Sequence, residues 1–352
     1  MKKDPIHAYS NRLLWLIGGF FASILVIAVC IMLLNFNVFS LEDSNLENVN
    51  VSEGVVEDIY DANYDVSVLH DTPENDMIKY GYELFKNTPK YLGPDNGNPE
   101  MAYAGNRLSC NNCHLFAGTK PYSAPLIGII QRFPQYRGRE DKIGTIEERI
   151  NGCFERSMNG RVLPEDSKEM EAYISYLTWL GRYAPEDGKI EGKGFVEVEI
   201  PNRPVDLEKG AHIFKNICSM CHGENGQGQF FEDGMVYQYP PLWGENSFNN
   251  GAGMTRVITA MQFIKGNMPY GATYNFPILT DDEAYDVAGF ISQQPRPTKS
   301  NLEVDFPDLK RKPVSTGYPP YADDFSIEQH QLGPFQPIME YYKKTYNLVK
   351  KK

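Results

Sequence analysis

Positive charge, histidine and cysteine are all in short supply in this chain of 352 residues. Lys and Arg number 34 against 46 Asp and Glu, a formal net charge of -12. A phosphate backbone would be repelled rather than neutralised, which excludes non-specific nucleic-acid binding, and any anionic ligand must find a local basic site. Zinc would need more ligands than the six histidines and six cysteines supply in one place: His7, His70, His212 and His330 are scattered, and only His212 lies near a cysteine pair. Also missing is an A-x-A cleavage site after the apolar run Leu13 to Leu34, which argues against a cleaved signal peptide.

What is present begins with that run. "LLWLIGGFFASILVIAVCIMLL" is 22 uncharged, mostly apolar residues, and at ~1.5 Å per residue such a helix just spans a hydrocarbon core of about 30 Å. Lys2, Lys3 and Arg12 precede it while Glu42, Asp43 and Glu47 follow, so the positive-inside rule keeps residues 1–12 cytoplasmic and exports the rest. The expected localisation is the inner (cytoplasmic) membrane, single-pass, with the globular part on the periplasmic side. Cys30 reads as a buried thiol in lipid, because Val29 before it is too bulky for a lipoprotein cleavage site.

Residues 35–73 are acidic and polar without helical periodicity and read as a poorly ordered tether. Beyond them the chain repeats itself. "GYELFKN" (Gly81 to Asn87) and "GAHIFKN" (Gly210 to Asn216) share G-x-x-[LI]-F-K-N, and each precedes a C-x-x-C-H. "EMEAYISYLTWL" (Glu169 to Leu180) and "DDEAYDVAGFIS" (Asp281 to Ser292) each carry Glu-Ala-Tyr at the start of an amphipathic run. The halves differ where 23 positions separate Asn87 from Cys110 but only 2 separate Asn216 from Cys218, so the first half carries an insertion. The expected organisation is a first domain over 74–185, a Gly/Pro-rich connector over 186–204, a second domain over 205–298, and a strap over 299–352 packed across them.

"CNNCH" (Cys110, Cys113, His114) and "CSMCH" (Cys218, Cys221, His222) are c-type haem attachment signatures. In each, two thiols add to the porphyrin vinyls and the adjacent His becomes the proximal iron ligand. Two such motifs, exported and repeated, imply two covalently bound haem c groups and an all-α fold of two cytochrome c-like domains with long loops, preceded by the transmembrane helix. In the second half, Met268 in "FIKGNMPYG" stands 46 positions after His222, before the closing helix. That arrangement resembles the class I cytochrome c domain, in which such a methionine is the sixth ligand; Met254 and Met261 are the alternatives, in a helical stretch where core packing suits them better.

The first half has no comparable Met-Pro. It offers Met158 and a lone cysteine, Cys153, in "INGCFERSMNG". Thr145 with Glu148 forms a T-x-x-E capping box that predicts a helix from Ile146 to about Asn159-Gly160. On it Ile146, Ile150, Cys153, Phe154 and Ser157 share one face, with Arg149 one turn before Cys153. Cys153 is either a small buried hydrophobe or a thiolate ligand of the first haem, flanked by Arg149, Arg156 and Ser157 as donors for an anion. An unpaired buried guanidinium is costly, and an anion would relieve it. From Lys120 to Arg161 there are 8 basic residues against 5 acidic ones, within a chain of -12.

"CNNCHLFAGTKPYSAPLIGI", "RFPQYRGR", "TIEERINGCFERSMNG" and "LPEDSKEMEAYISYLTWL" together resemble the dihaem thiosulfate dehydrogenase/tetrathionate reductase family, whose catalytic domain is similar to the SoxA sulfur-oxidising cytochromes. The likeness runs from about residue 75 through "YPPYADDFSIEQHQLGPF". It implies that His114 and Cys153 ligate the active-site haem, where two thiosulfates couple to tetrathionate or the reverse. Arg149 and Ser157 would contact substrate, as would Arg139, with Arg137 as the alternative for that place. His222 and Met268 would hold the exit haem, which serves a redox cytochrome or a membrane oxidase or quinol enzyme. The resemblance also implies that Cys153 leaves the iron and bonds to substrate sulfur. Two departures stand out. Asn267 occupies the position where some members carry a lysine able to exchange as ligand, and this chain has an anchor where many members are soluble.

Ligand softness sets the direction of flow: thiolate puts the first haem below the Met-ligated second, so oxidation runs downhill from one to the other. The rival reading is a membrane-tethered electron-transfer cytochrome of a respiratory chain with no substrate of its own. It accounts for the haems and the anchor but not for Arg149, Cys153 and Ser157 on one helix face.

Overall fold

The computed structural model describes residues 59–351, together with Leu25 alone before them. The expected anchor over 13–34, Leu25 apart, and most of the tether lie outside the described residues. Among the described residues no helix is long and apolar enough to cross a membrane. Longer helices are α1 (Pro73–Lys86), α2 (Ile146–Arg156), α3 (Lys168–Leu180), α4 (Leu207–Ile213), α5 (Val257–Asn267), α6 (Asp281–Ser292) and α7 (Gln336–Tyr346). Local chemistry explains where several begin. Thr72 caps α1 by accepting from Asn75 N, with Pro73 at the first turn where its missing N–H is no loss. Thr145 and Glu148 form the expected capping box on α2, and Thr280 with Glu283 forms another on α6.

The all-α expectation needs one correction. Two small antiparallel hairpins interrupt the loops: β1 (Gln135–Arg137) pairs with β2 (Lys142–Gly144), and β3 (Gln229–Phe230) with β4 (Tyr237–Tyr239). In the first, Asp141 takes a left-handed φ of 52° beside the turn, a conformation Asp tolerates better than most residues. Such short pairs carry too few alternating residues for a period-2 signal in the sequence.

Each half is built on one helix crossing. In the first, α1 lies across α3 around Leu84, Phe85, Tyr173 and Tyr176; in the second, α4 lies across α6 around Phe214, Ala284 and Tyr285. The repeated glycine of G-x-x-[LI]-F-K-N marks the crossing point. A Cβ on Gly81 would sit 2.0 Å from the Ala172 carbonyl oxygen, and one on Gly210 would sit 2.2 Å from that of Asp286. Only glycine lets the backbones approach so closely.

The strap joins the second core through Val314, Phe335, Ile338 and Tyr342. At the other end, residues expected in the loose tether pack against the first core. Val66 is buried there, Tyr64 lies edge-on to Trp179, and Arg182 donates to Asn63 O. Apolar area gained by Tyr64 and Val66 offsets the ordering entropy of this acidic stretch.

Gly81→Ala forces α1 away from α3 and is expected to cost about 2 kcal/mol, within the usual range for overpacking. A lowered melting temperature of the haem-loaded protein, with its absorption spectrum unchanged, is the readout.

Candidate active site

Both haem motifs present the same donor set. Cys110–Asn112 forms a 3-10 turn capped by Ser109 and Asn112, and His114 follows with Nδ1 donating to Ala124 O at 2.7 Å. In the second half His222 Nδ1 donates to Pro240 O at 2.8 Å. A histidine whose Nδ1–H is held by a carbonyl has its Nε2 lone pair free for a metal, the usual outer-shell arrangement of a ligating imidazole. Two thiols and a histidine so oriented, twice, fit covalently attached haem.

The loop after His114 is unusually constrained. Phe116, Ala117, Tyr122 and Ala124 all adopt left-handed φ between 52° and 56°, each costing ~1 kcal/mol or more for a residue with a Cβ. Tyr176 Oη donates to Ala117 O at 2.7 Å, and the amides of Tyr122 and Ala124 donate to Gly192 O and Gly194 O. These contacts hold the Ala124 carbonyl that orients His114. Met268 caps the end of α5 and packs half-buried at the edge of the second core, while Met261 is buried within that core and Met254 packs against it.

Cys153 projects from α2 among partners unlike those of the other thiols. Ile146 and Ile150 lean on the first core, Phe154 and Met158 are buried in it, and Cys153 is left facing His114 and Arg149. Arg149 Nη1 donates to Cys153 Sγ at 2.9 Å. Burial by itself would raise this thiol, but the Arg149 charge, with His114 alongside, outweighs it and holds Cys153 down at about 6. Cys110 and Cys113 go the other way: burial pushes both up to about 12, and the negative charge on Cys153 adds to the rise. Neighbouring sulfurs are thus split by surroundings into neutral thiols for attachment and one anionic sulfur.

The remaining expected contacts divide. Ser157 follows the last turn of α2 with no protein partner on its hydroxyl among the described residues, and its carbonyl accepts from Asn106 Nδ2 at 3.0 Å. Arg139 faces the same region, but its Nη1 already donates to Asp305 Oδ2 at 2.6 Å and to Gly251 O at 3.0 Å. Arg137, the alternative, is engaged by both oxygens of Glu140 at 2.9 Å. Arg156 donates to Asp305 Oδ1 at 2.7 Å. So one strap carboxylate, 3% exposed, holds two of the arginines apart from Arg149.

Sequence reasoning missed how much of the site comes from elsewhere. Asp305 comes from the strap and Asn106 from the insertion. The loop 247–256 of the second half is stapled along α2: Asn249 N donates to Arg156 O at 3.1 Å, and Asn249 Nδ2 to Glu155 O at 2.8 Å and to Asn159 Oδ1 at 3.0 Å. Asn106 Nδ2 donates both to Ser157 O and to Ser247 O, each at 3.0 Å. Asn267 Nδ2 donates to Tyr122 O at 3.1 Å, tying the end of α5 to the loop after His114. The Asn/Gly-rich "NNGAG" at 249–253 was the only hint, and composition cannot say what such a loop touches.

Residues 101–185 match the SoxA/TsdA cytochrome c domain, and 207–295 match cytochrome c. The thiosulfate dehydrogenase of Psychrobacter arcticus is 41% identical over 244 residues, 69% of this chain and 71% of that protein. The thiosulfate dehydrogenase of Thiomonas intermedia is 41% identical over 231 residues, 66% of this chain and 69% of that one. Among solved structures, thiosulfate dehydrogenase (TsdBA) from Marichromatium purpuratum superposes with a TM-score of 0.60 at 34% identity, covering 67% of this chain and 49% of that chain. This chain therefore spans about half the length of that solved protein. With a C-x-x-C-H in each matched domain, the chain carries two covalently bound haem c groups.

Arg139 and Arg156 hold the Asp305 carboxyl below the usual carboxylate range against its burial. A depressed native pKa stabilises the fold above the ordinary carboxylate pKa, and that contribution is lost as pH falls through the native value. Asp305→Asn is therefore expected to cost about 3 kcal/mol at neutral pH, as breaking a buried ion pair does. Urea titrations at pH 7 and in acid should show the difference between the two proteins narrowing as pH falls.

Proposed function

Because the chain belongs to the thiosulfate dehydrogenase family, we propose that it couples two thiosulfate ions to tetrathionate beside the first haem and passes the electrons out through the second. The observation that carries this reading is Cys153, an anionic sulfur held between Arg149 and His114 at the head of an arginine cluster. Two thiosulfate dianions give one tetrathionate dianion and two electrons. The new bond joins the two sulfane sulfurs, and no proton is transferred.

In this reading Cys110, Cys113, His114 and Cys153 would hold the first haem, and Cys218, Cys221, His222 and Met268 would hold the second. Bound haem supplies one-electron acceptance at each of two sites. The protein's own part is electrostatic. Like-charged substrates must approach each other, and guanidinium groups in a partly desolvated pocket counter that repulsion far better than they would in water. Arg149 keeps Cys153 anionic, and the Ser157 hydroxyl would donate to a substrate oxygen. Arg139 lends charge while Asp305 fixes its position. The softer, thiolate-facing first site and the thioether at the second favour flow in the oxidising direction.

The apolar run over 13–34 supports tethering to the inner membrane with the haem domains on the periplasmic side. That places electron delivery near a membrane oxidase or quinol enzyme, or a cytochrome that serves one.

Haem-loaded protein mixed with thiosulfate and ferricyanide should form tetrathionate, and Cys153→Ala should lower turnover by at least about a thousandfold while both haems stay attached. Electron paramagnetic resonance of the oxidised protein should show a low-spin histidine/thiolate species that the variant lacks. No turnover by the unmutated protein would return it to the class of plain electron carriers.

A further inference from the structure

The arginine cluster contains one member that the expected site residues leave out. Arg256 immediately precedes α5, at the end of the loop that the second half lays along α2. Its single side-chain hydrogen bond among the described residues runs from Nε to Gly253 O at 3.2 Å, and no carboxylate side chain there pairs with it. The same loop delivers Gly251 O to Arg139 and Asn249 to the end of α2, and Ala260 N donates to Arg256 O at 2.9 Å, so the backbone on both sides of Arg256 is fixed beside the arginine cluster.

The charges around it do not cancel. Arg139 and Arg156 share Asp305, and Arg149 is matched by the Cys153 sulfur. That leaves Arg256 as a further positive charge in the same neighbourhood. Burial, then repulsion from Arg139 and Arg149, brings it down to about 10, so it stays charged at neutral pH with no carboxylate side chain among the described residues against it. A cluster so arranged is stabilised when an oxyanion enters, because a guanidinium pairs with two sulfonate oxygens at once.

On the reading of the site as a thiosulfate-coupling centre, we propose that Arg256 contacts substrate directly, binding the sulfonate oxygens of a thiosulfate so that its sulfane sulfur is left free to react. The active site is then composite. The first half supplies Cys153, Arg149 and Ser157; the second supplies the arginine that lets another dianion approach. Bond making is unaffected in its balance: the sulfane sulfurs join, the sulfonate oxygens held by Arg256 neither gain nor lose electrons, and two electrons leave through the haems to an external acceptor.

The test uses haem-loaded Arg256→Gln and Arg256→Lys. Thiosulfate oxidation with ferricyanide should show KM raised at least about tenfold in Arg256→Gln, the scale expected for losing a charge-assisted pair. Arg256→Lys should recover part of the loss. The absorption and paramagnetic resonance spectra of both haems should stay as in the unmutated protein, which a merely structural role for Arg256 would not allow. KM and kcat within twofold of the unmutated protein in Arg256→Gln would overturn the proposal. A second measurement separates it from the family reading: calorimetric titration of thiosulfate into fully reduced protein, which cannot accept electrons from it. Unmutated protein that binds thiosulfate but does not oxidise it, with binding weakened about tenfold in Arg256→Gln, would defeat the coupling reading and leave the arginine contact standing. Equal binding by both proteins would overturn the contact.

Discussion

A buried sulfur anion is unstable without a cation against it, and the contact between Arg149 and Cys153 is the constraint from which the rest of the site follows. Both residues lie on α2, one turn apart, so the helix itself sets their separation. The energetic problem is the arginine. A guanidinium placed in this half-buried position is tolerable because the sulfur beside it is charged, and the sulfur is charged because the guanidinium is there. Neither residue makes sense as packing, and each explains the other.

Holding α2 in place takes residues from three other parts of the chain. The capping box at Thr145 sets where the helix begins. At its other end the insertion contributes Asn106, the second half contributes Asn249, and the strap contributes Asp305. Each is a short polar side chain with fixed hydrogen-bond geometry, and Asn106, Asn249 and Asp305 are all almost fully buried. Misplacing them would leave unsatisfied polar groups in the interior, so they define one arrangement rather than many. The two halves share a helix-crossing pattern, yet only the first has a site that needs this bracing. The insertion of the first half is where the brace Asn106 resides.

The halves are also joined around their haem motifs. Asn267 reaches Tyr122 O, Lys120 Nζ reaches Ala272 O at 3.3 Å, and Tyr122 lies against Tyr274 with ring centroids 4.4 Å apart. Where some relatives are expected to carry a lysine able to serve as ligand, this chain spends the position on a structural amide. The loop that orients His114 and the helix that ends in Met268 are thereby mechanically continuous, which suits electron transfer between fixed centres.

Much was legible in the sequence because it depends on local periodicity or on covalent chemistry. The haem motifs, the capping box at Thr145, the shared face of Cys153 with its arginine, and the repeated glycine are all relations within a few residues, where backbone geometry alone decides what meets what. The two hairpins were not legible, since strands of two or three residues leave no pattern. Nor were Asp305, Asn106 and Asn249, whose importance comes from contacts across 51 to 166 positions, nor Arg256, whose importance comes from the charges the fold gathers around it. A lone carboxylate in a strap or an arginine ahead of a helix carries no periodic signature. Only the folded chain decides which charges share one pocket, because Coulomb energy depends on distance in space and on burial, and sequence reports neither.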